Sequence, residues 1–164
     1  MRSLLAHLAL LLALVSGQAA AAWTLSGMVV AVGGGDTIMV MDNRNVQHTV
    51  RLAGIDAPEK FQAYGQRSLD SLSDQVFRRY VTVEIARKGS SPRVGKVLLQ
   101  GQDVNLEQIQ LGLAWYDPSH AQDLSPQERE AYAAAQADAR VRRAGLWRDA
   151  KPIPPWEFRR GRRH

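Results

Sequence analysis

Apolar and polar residues alternate along two short stretches early in the chain. The first covers residues 24–32 and the second residues 37–42, with three glycines between them. The alternation is loose and runs through Met28, Val30, Val32, Ile38 and Val40. Because successive side chains of a strand point to opposite faces, this pattern predicts two strands joined by a turn. A polar turn at 42–45 then leads into a third predicted strand, 46–52.

The spacing of apolar residues changes from strand-like to helical over residues 62–79. Apolar side chains recur there at helical spacing, at Leu69, Leu72, Val76, Phe77 and Tyr80. This spacing predicts an amphipathic helix. Residues 81–85 and 94–100 return to strand character and predict a fourth and a fifth strand. A short helix is predicted from about 105 to 111, with Gly112 as its C-cap.

A third helix is predicted to begin at Ser125. Ser125 and Glu128 form a capping-box pattern, and Pro126 takes the first helical position. The helix is rich in alanine and reaches basic residues shortly before Gly145. Five short strands with about three helices predict an α+β fold built on a five-stranded OB-type β-barrel.

The chain divides into three parts by composition. Residues 1–22 resemble an export signal, with Arg2 as the only charge, an apolar run from 4 to 15 and small residues at 19–22. The run is too short to span a bilayer. A retained helix is the alternative, but we expect cleavage near Ala22 and a periplasmic or secreted protein. Residues 23–150 form the predicted barrel domain, and residues 151–164 a tail rich in proline and arginine.

Charge and cysteine content narrow the possible ligands. The formal net charge is +5 and becomes +4 without Arg2, which favours a polyanionic ligand, although many solvated surfaces carry similar charge. The chain has no cysteine, so it has neither disulfides nor thiolate metal ligands. We therefore expect any bound metal to be held by oxygen ligands.

Acidic and basic residues collect where the predicted strands end. Asp36 follows the glycines at 33–35, Arg51 closes the third strand, and Asp56 and Glu59 follow in the next turn. Arg93 opens the fifth strand. Two carboxylates suit a hard divalent cation, and arginine forks suit phosphoryl oxygens. Each feature alone also has a purely structural explanation. The turn at Asp36 is common in hairpins, Arg51 and Glu59 could form a surface ion pair, and Arg93 could be a solvated charge at a strand end. Their joint occurrence favours a site for phosphodiester hydrolysis.

These residues carry a resemblance to a known family. Gly35-Asp36-Thr37, the run from Arg51 to Glu59, and Arg93 resemble the active-site signature of the staphylococcal nuclease (thermonuclease) family. Later motifs at 112–115, 145–147 and 154–157 are similar to landmarks of its secreted bacterial members. The resemblance implies a Ca²⁺ ion bound by Asp36, Asp56 and the backbone carbonyl of Ala57. It also implies Glu59 as general base, Arg51 and Arg93 as stabilisers of the phosphoryl group, and DNA or RNA as substrate.

The chain departs from that pattern in its loops. Gly34 stands where the family usually has an aspartate, and the loop before Arg93 reads Gly89-Ser90-Ser91-Pro92. Tyr116 and His120 are candidates for stacking on a base. The tail arginines, Arg159, Arg160, Arg162 and Arg163, fit either a nucleic-acid or lipid contact or a solubilising role.

We therefore expect an exported, monomeric, Ca²⁺-dependent nuclease without a stable protein partner. The alternative is an OB-fold module that binds nucleic acid or another polyanion but has lost efficient hydrolysis, which the altered loops would explain. A third possibility is an interaction domain of an envelope assembly, for which the sequence offers no positive feature.

Overall fold

The computed structural model describes residues 23–87 and 89–161. The predicted signal segment, 1–22, and the tail arginines Arg162 and Arg163 lie outside the described residues. No helix among the described residues is long and apolar enough to cross a membrane.

Short strands make up the first two thirds of the described chain. Their bounds are β1 Trp23–Gly34, β2 Thr37–Met41, β3 Gln47–Leu52, β4 Ile55–Asp56, β5 Tyr80–Ile85, β6 Arg93–Leu99, β7 Gln102–Asp103 and β8 Trp115–Tyr116. The main sheet has the order β3-β2-β1-β5-β6-β7, and a parallel pairing of β3 with β6 closes five of its strands into a barrel. The α+β class and the five-stranded OB-type barrel are confirmed.

The register of β1 differs from the predicted alternation. Val29 is fully buried, whereas Met28 is 42% exposed. Pairing with β2 shifts between Val29 and Ala31 and again between Val32 and Gly34. Each irregularity changes which side chains face the core, so a simple period of two cannot describe a long bulged strand.

The described residues form four α-helices: α1 Gly65–Val76, α2 Val104–Gln110, α3 Pro126–Val141 and α4 Pro155–Gly161. They also form two 3₁₀ helices, at Pro118–Asp123 and Gly145–Arg148. The capping box of α3 is present, since Ser125 Oγ accepts from the Glu128 N–H and the Glu128 carboxylate accepts from the Ser125 N–H. Gly112 follows α2 with a φ of +65°, as expected after a helix end. The fourth helix, α4, was not predicted.

The apolar core has two parts. The larger fills the barrel and the space under α1 and α2 with aliphatic residues and Tyr132. The smaller lies between α3 and the second 3₁₀ helix and is built on Trp115 and Trp147, whose ring centroids are 4.4 Å apart. Trp156 of α4 packs against this smaller cluster. The tail is therefore fastened to the domain by its own helix.

A buried amide joins the barrel to α1. The Gln108 Nε2 group of α2 donates to the carbonyl of Gly35 at 2.9 Å and to the carbonyl of Ser68 at 3.1 Å. Ser68 Oγ in turn donates to the carbonyl of Leu113 at 2.7 Å. Because buried polar groups are costly unless paired, these bonds fix the glycine turn relative to the helices.

Candidate active site

A cleft of about 460 Å³ opens at one end of the barrel, where β1 turns into β2 and β3 leads into β4. Five of the predicted site residues line it: Asp36, Arg51, Asp56, Ala57 and Glu59. The strand ends thus bring together side chains that lie up to 23 residues apart in the sequence.

Both the backbone and the side chain of Asp36 are held by hydrogen bonds. Its carbonyl accepts from the Leu52 N–H at 2.8 Å, which ties the glycine turn to β3. Its carboxylate accepts from Thr37 Oγ1 at 2.9 Å and from the Ala57 N–H at 3.1 Å. These bonds orient the carboxylate toward the cleft before any ligand binds.

Arg51 lies between the two aspartates. Its Nη2 atom is 3.4 Å from Asp56 Oδ1 and 3.9 Å from Asp36 Oδ2. Asp56 is 1% exposed and its backbone pairs with Trp115 of β8. Burial raises the pKa of Asp36, and the neighbouring Asp56 adds to the effect, whereas the Ala57 N–H and Arg51 oppose it. A cation is favourable here because adjacent buried carboxylates repel each other.

Glu59 stands on the rim of the cleft at the beginning of a tight turn. Its N–H donates to Gln62 Oε1 at 3.0 Å, and its carbonyl accepts from the Gln62 N–H at 2.8 Å. Gly65 begins α1 directly against this turn: a Cβ at this position would lie 1.9 Å from the Glu59 carbonyl oxygen. The turn and the start of α1 therefore fit only with glycine at 65.

Arg159 of α4 also enters the cleft. Its Nη2 atom donates to Asp56 Oδ2 at 2.7 Å, and its Nη1 atom donates to Asp56 Oδ1 at 3.1 Å and to Glu59 Oε1 at 2.7 Å. The sequence marked Arg159 only as one of several tail arginines. No local pattern could place it here, because its partners lie 100 and 103 residues away.

Arg93 does not join the five predicted residues that line the cleft. In the parallel register of β3 and β6, Arg93 pairs with the core residue Val50, and Val94 pairs with Arg51. Paired residues share a face of the sheet, so Arg93 lies on the face opposite Arg51. Its Nε atom donates to Nδ1 of His48 at 3.4 Å, and Pro92 lines the cleft instead. The sequence predicted that Arg93 lies in the same cluster as Arg51 and the acidic residues, and the structure corrects this placement. The catalytic role of Arg93 stays a prediction.

The two candidate base-stacking residues lie elsewhere. Tyr116 is partly buried, with its ring edge-to-face on Tyr132 at 6.4 Å between centroids. The Nδ1 atom of His120 is 2.7 Å from Asp117 Oδ2. Neither lines the cleft. Their contact with nucleic acid is still a prediction.

The donor set of the cleft suits an oxygen-bound divalent cation. Among the described residues, no three His, Cys, Asp or Glu side chains converge to hold a metal. Asp36 and Asp56 nevertheless approach the same Arg51 Nη2 atom, and the Ala57 backbone lies beside them. Ca²⁺ accepts two carboxylates completed by a backbone carbonyl and water, so these residues fit it.

A small OB-type barrel whose acidic cleft is flanked by guanidinium groups belongs to the class of folds that can act on phosphodiesters. Comparison with known proteins narrows the class. A family model described as staphylococcal nuclease homologue matches residues 49–149. The chain belongs to the staphylococcal nuclease family, and it is an enzyme of the nuclease class.

Curated relatives agree with this assignment. The chain is 39% identical over 135 residues to a protein of Haemophilus influenzae named as an uncharacterized endonuclease, covering 80% of this chain and 71% of that protein. It is 38% identical over 150 residues to a micrococcal nuclease of Shigella flexneri, with 85% and 83% covered. It is 36% identical over 157 residues to the protein ParB of Escherichia coli, with 87% and 84% covered.

Proposed function

We propose that this protein hydrolyses phosphodiester bonds of DNA or RNA and depends on Ca²⁺. The observation that carries the proposal is the pair of aspartates, Asp36 and Asp56, that meet at Arg51 in a cleft with Glu59 on its rim. The names of the relatives, an endonuclease and a micrococcal nuclease, support the same reaction.

The cation is assigned to Asp36, Asp56 and the carbonyl oxygen of Ala57. When bound, Ca²⁺ would act as a Lewis acid that polarises the phosphate. The hydrogen bonds from Thr37 and from the Ala57 N–H hold the Asp36 carboxylate in place, so little reorganisation is needed on binding.

Glu59 and Arg51 carry the remaining chemistry. The Glu59 side chain is 37% exposed, which leaves its carboxylate accessible to a water molecule in the cleft. It accepts the proton of the attacking water, a contribution of about 10²–10⁴-fold in rate. Arg51 donates to the phosphoryl oxygens as their charge grows, and the fork geometry of its guanidinium suits two oxygens at once. Arg93 was predicted to share this task and is tested below.

Export belongs to the proposal as well. Arg2, the apolar run and the small residues before Trp23 support a cleaved signal. N-terminal sequencing of the protein from the periplasmic and culture fractions should begin at Trp23. A chain that keeps its N-terminus in the cytoplasmic fraction would contradict export. The exported protein should elute as a monomer in size-exclusion chromatography.

The nuclease is tested with single-stranded DNA in Ca²⁺ and in excess chelator, with Asp56→Ala alongside as a contamination control. Cleavage that requires Ca²⁺ and disappears in the variant establishes the function. An intact fold that binds DNA without cleaving it would instead support the binding module.

A further inference from the structure

Arg159 occupies a position in the cleft that no sequence motif explains. Its guanidinium spans Asp56 and Glu59, with the three hydrogen bonds described above between 2.7 and 3.1 Å. These contacts join the residue assigned to the cation with the residue assigned to the water. An arginine at this point must affect the reaction if the cleft is the active site.

The helix that carries Arg159 is anchored independently of these ion pairs. Pro155 at its start is buried, and the Trp156 ring packs edge-to-face on Trp115, with centroids 5.6 Å apart. Gln62 Nε2, in the turn that follows Glu59, donates to the carbonyl of Ile153 at 2.6 Å. Since apolar packing and a backbone contact hold α4, Arg159 stays in the cleft when its carboxylate partners turn to other ligands.

The contacts of the Arg159 guanidinium use only some of its N–H donors. Of the five N–H groups of an arginine, three are used in the contacts with Asp56 and Glu59. A carboxylate offers about four lone-pair sites on its two oxygens, so Asp56 can hold a cation and a guanidinium together. Two N–H groups then remain for a phosphate oxygen.

Arg159 and Arg51 are the guanidinium groups that line the cleft among the described residues, because the register of β6 directs Arg93 to His48. The charges of the lining also favour an anion once the cation is bound. Three carboxylates are balanced by two guanidiniums and the Lys60 ammonium, and a divalent cation then gives the cleft a charge of +2. A phosphodiester, which carries one negative charge, is attracted to this site.

We propose that Arg159 is a further catalytic residue, an additional arginine that contacts the scissile phosphate together with Arg51. The proposal rests on the proposed function. It differs from the prediction for Arg93, and it also differs from an inhibitory role in which Arg159 would merely block the cation site.

The test compares three measurements on the purified protein: turnover on single-stranded DNA, Ca²⁺ affinity by calorimetry, and the thermal midpoint. Arg159→Ala should lower kcat by about 100-fold, as for loss of a donor to the transition-state charge. It should tighten Ca²⁺ binding by about tenfold, because a positive charge beside Asp56 is removed. Arg159→Lys should restore only part of the rate, since an ammonium cannot form the fork.

The neighbouring Arg160 provides the matched control. It is exposed on the same helix and its Nε atom donates to the Trp156 carbonyl at 3.3 Å, so Arg160→Ala should keep the wild-type rate. Arg93→Ala is measured alongside, and a loss of rate in that variant tests the predicted role of Arg93 independently of Arg159. If Arg159→Ala does not fold, Arg159→Gln replaces it with the same expected loss.

Each remaining outcome rejects the role of Arg159. A rate for Arg159→Ala equal to or above that of the wild type overturns the proposal, and a higher rate identifies an inhibitory contact. A loss of rate that accompanies loss of Ca²⁺ binding, or loss of the fold in both Arg159→Ala and Arg159→Gln, also overturns it, since the residue would then be structural. A wild-type protein that does not cleave refutes the proposed function itself, whereas an active wild type with an unaffected variant refutes the role of Arg159 alone.

Discussion

Gly65→Ala should reduce catalysis by displacing the turn that carries Glu59. An added Cβ would lie 1.9 Å from the Glu59 carbonyl oxygen and 2.8 Å from its carbonyl carbon. Both are backbone atoms, which cannot rotate away as the end of a side chain can. Since a carbon–oxygen contact relaxes at roughly 3.3 Å, the turn and the start of α1 must separate by about 1.4 Å.

The size of that shift sets the expected loss. A misplacement of about 1 Å in a catalytic group can cost about 100-fold in rate, so kcat should fall by about two orders of magnitude. The free energy of unfolding should fall as well, by about 1–3 kcal/mol, because the added methyl group overpacks the junction. Both effects follow from the same displacement.

The assay measures kcat on a single-stranded oligonucleotide in Ca²⁺ and the free energy of unfolding in urea. Gly33→Ala is the matched control, because its Cβ would meet Thr37 Cγ2 at an ordinary 3.6 Å. Gly65→Ala with a wild-type kcat would refute the reasoning. It would mean either that the turn adapts without moving Glu59 or that Glu59 is not the base.

Three further predictions concern single side chains. Glu59→Gln should lower kcat at least about tenfold at unchanged stability, and an unchanged rate would remove Glu59 from the mechanism. Asp36→Asn should weaken Ca²⁺ binding in calorimetry, and an unaltered affinity would contradict its assignment as a ligand. The hydrogen bond from His48 is the main reason that the pKa of Asp42 lies below its ordinary value of 3.8. This contact therefore stabilises the fold above about pH 4 and loses its effect as the pH falls through the lowered pKa. Urea unfolding should show Asp42→Asn to be less stable than the wild type at pH 7 by a margin that shrinks below pH 4, and a constant margin would contradict the contact.

The five-stranded barrel could be predicted from the sequence because its strands are short and its turns carry glycine and polar residues. Which side chains of β1 face the core could not be predicted, since the register shift between Val29 and Ala31 depends on the pairing with β2. Helix α4 was missed because residues 151–164, rich in proline and arginine, were interpreted as a tail and no helix was predicted there. Pro155 instead takes the first helical position, where its missing N–H has no cost.

The candidate site was predicted in part. Asp36, Arg51, Asp56 and Glu59 lie close to strand ends that meet in the barrel, so a motif of nine residues and one glycine turn were enough to bring them together. Arg93 shows the limit of this reasoning. Moving an arginine by one position along a strand sends it to the other face, and only the register of β3 with β6 shows which face that is.

The barrel, the acidic cleft and the resemblance to the family could be recognised from the sequence, because they depend on local periodicity and on residues close to one another in the chain. Which arginines reach the cleft depends on the tertiary structure. The strand register directs Arg93 to His48, and the packing of Trp156 on Trp115 brings Arg159 to Asp56 from 103 residues away. Contacts of this kind are set by how separate elements pack, and no local pattern in the sequence records them.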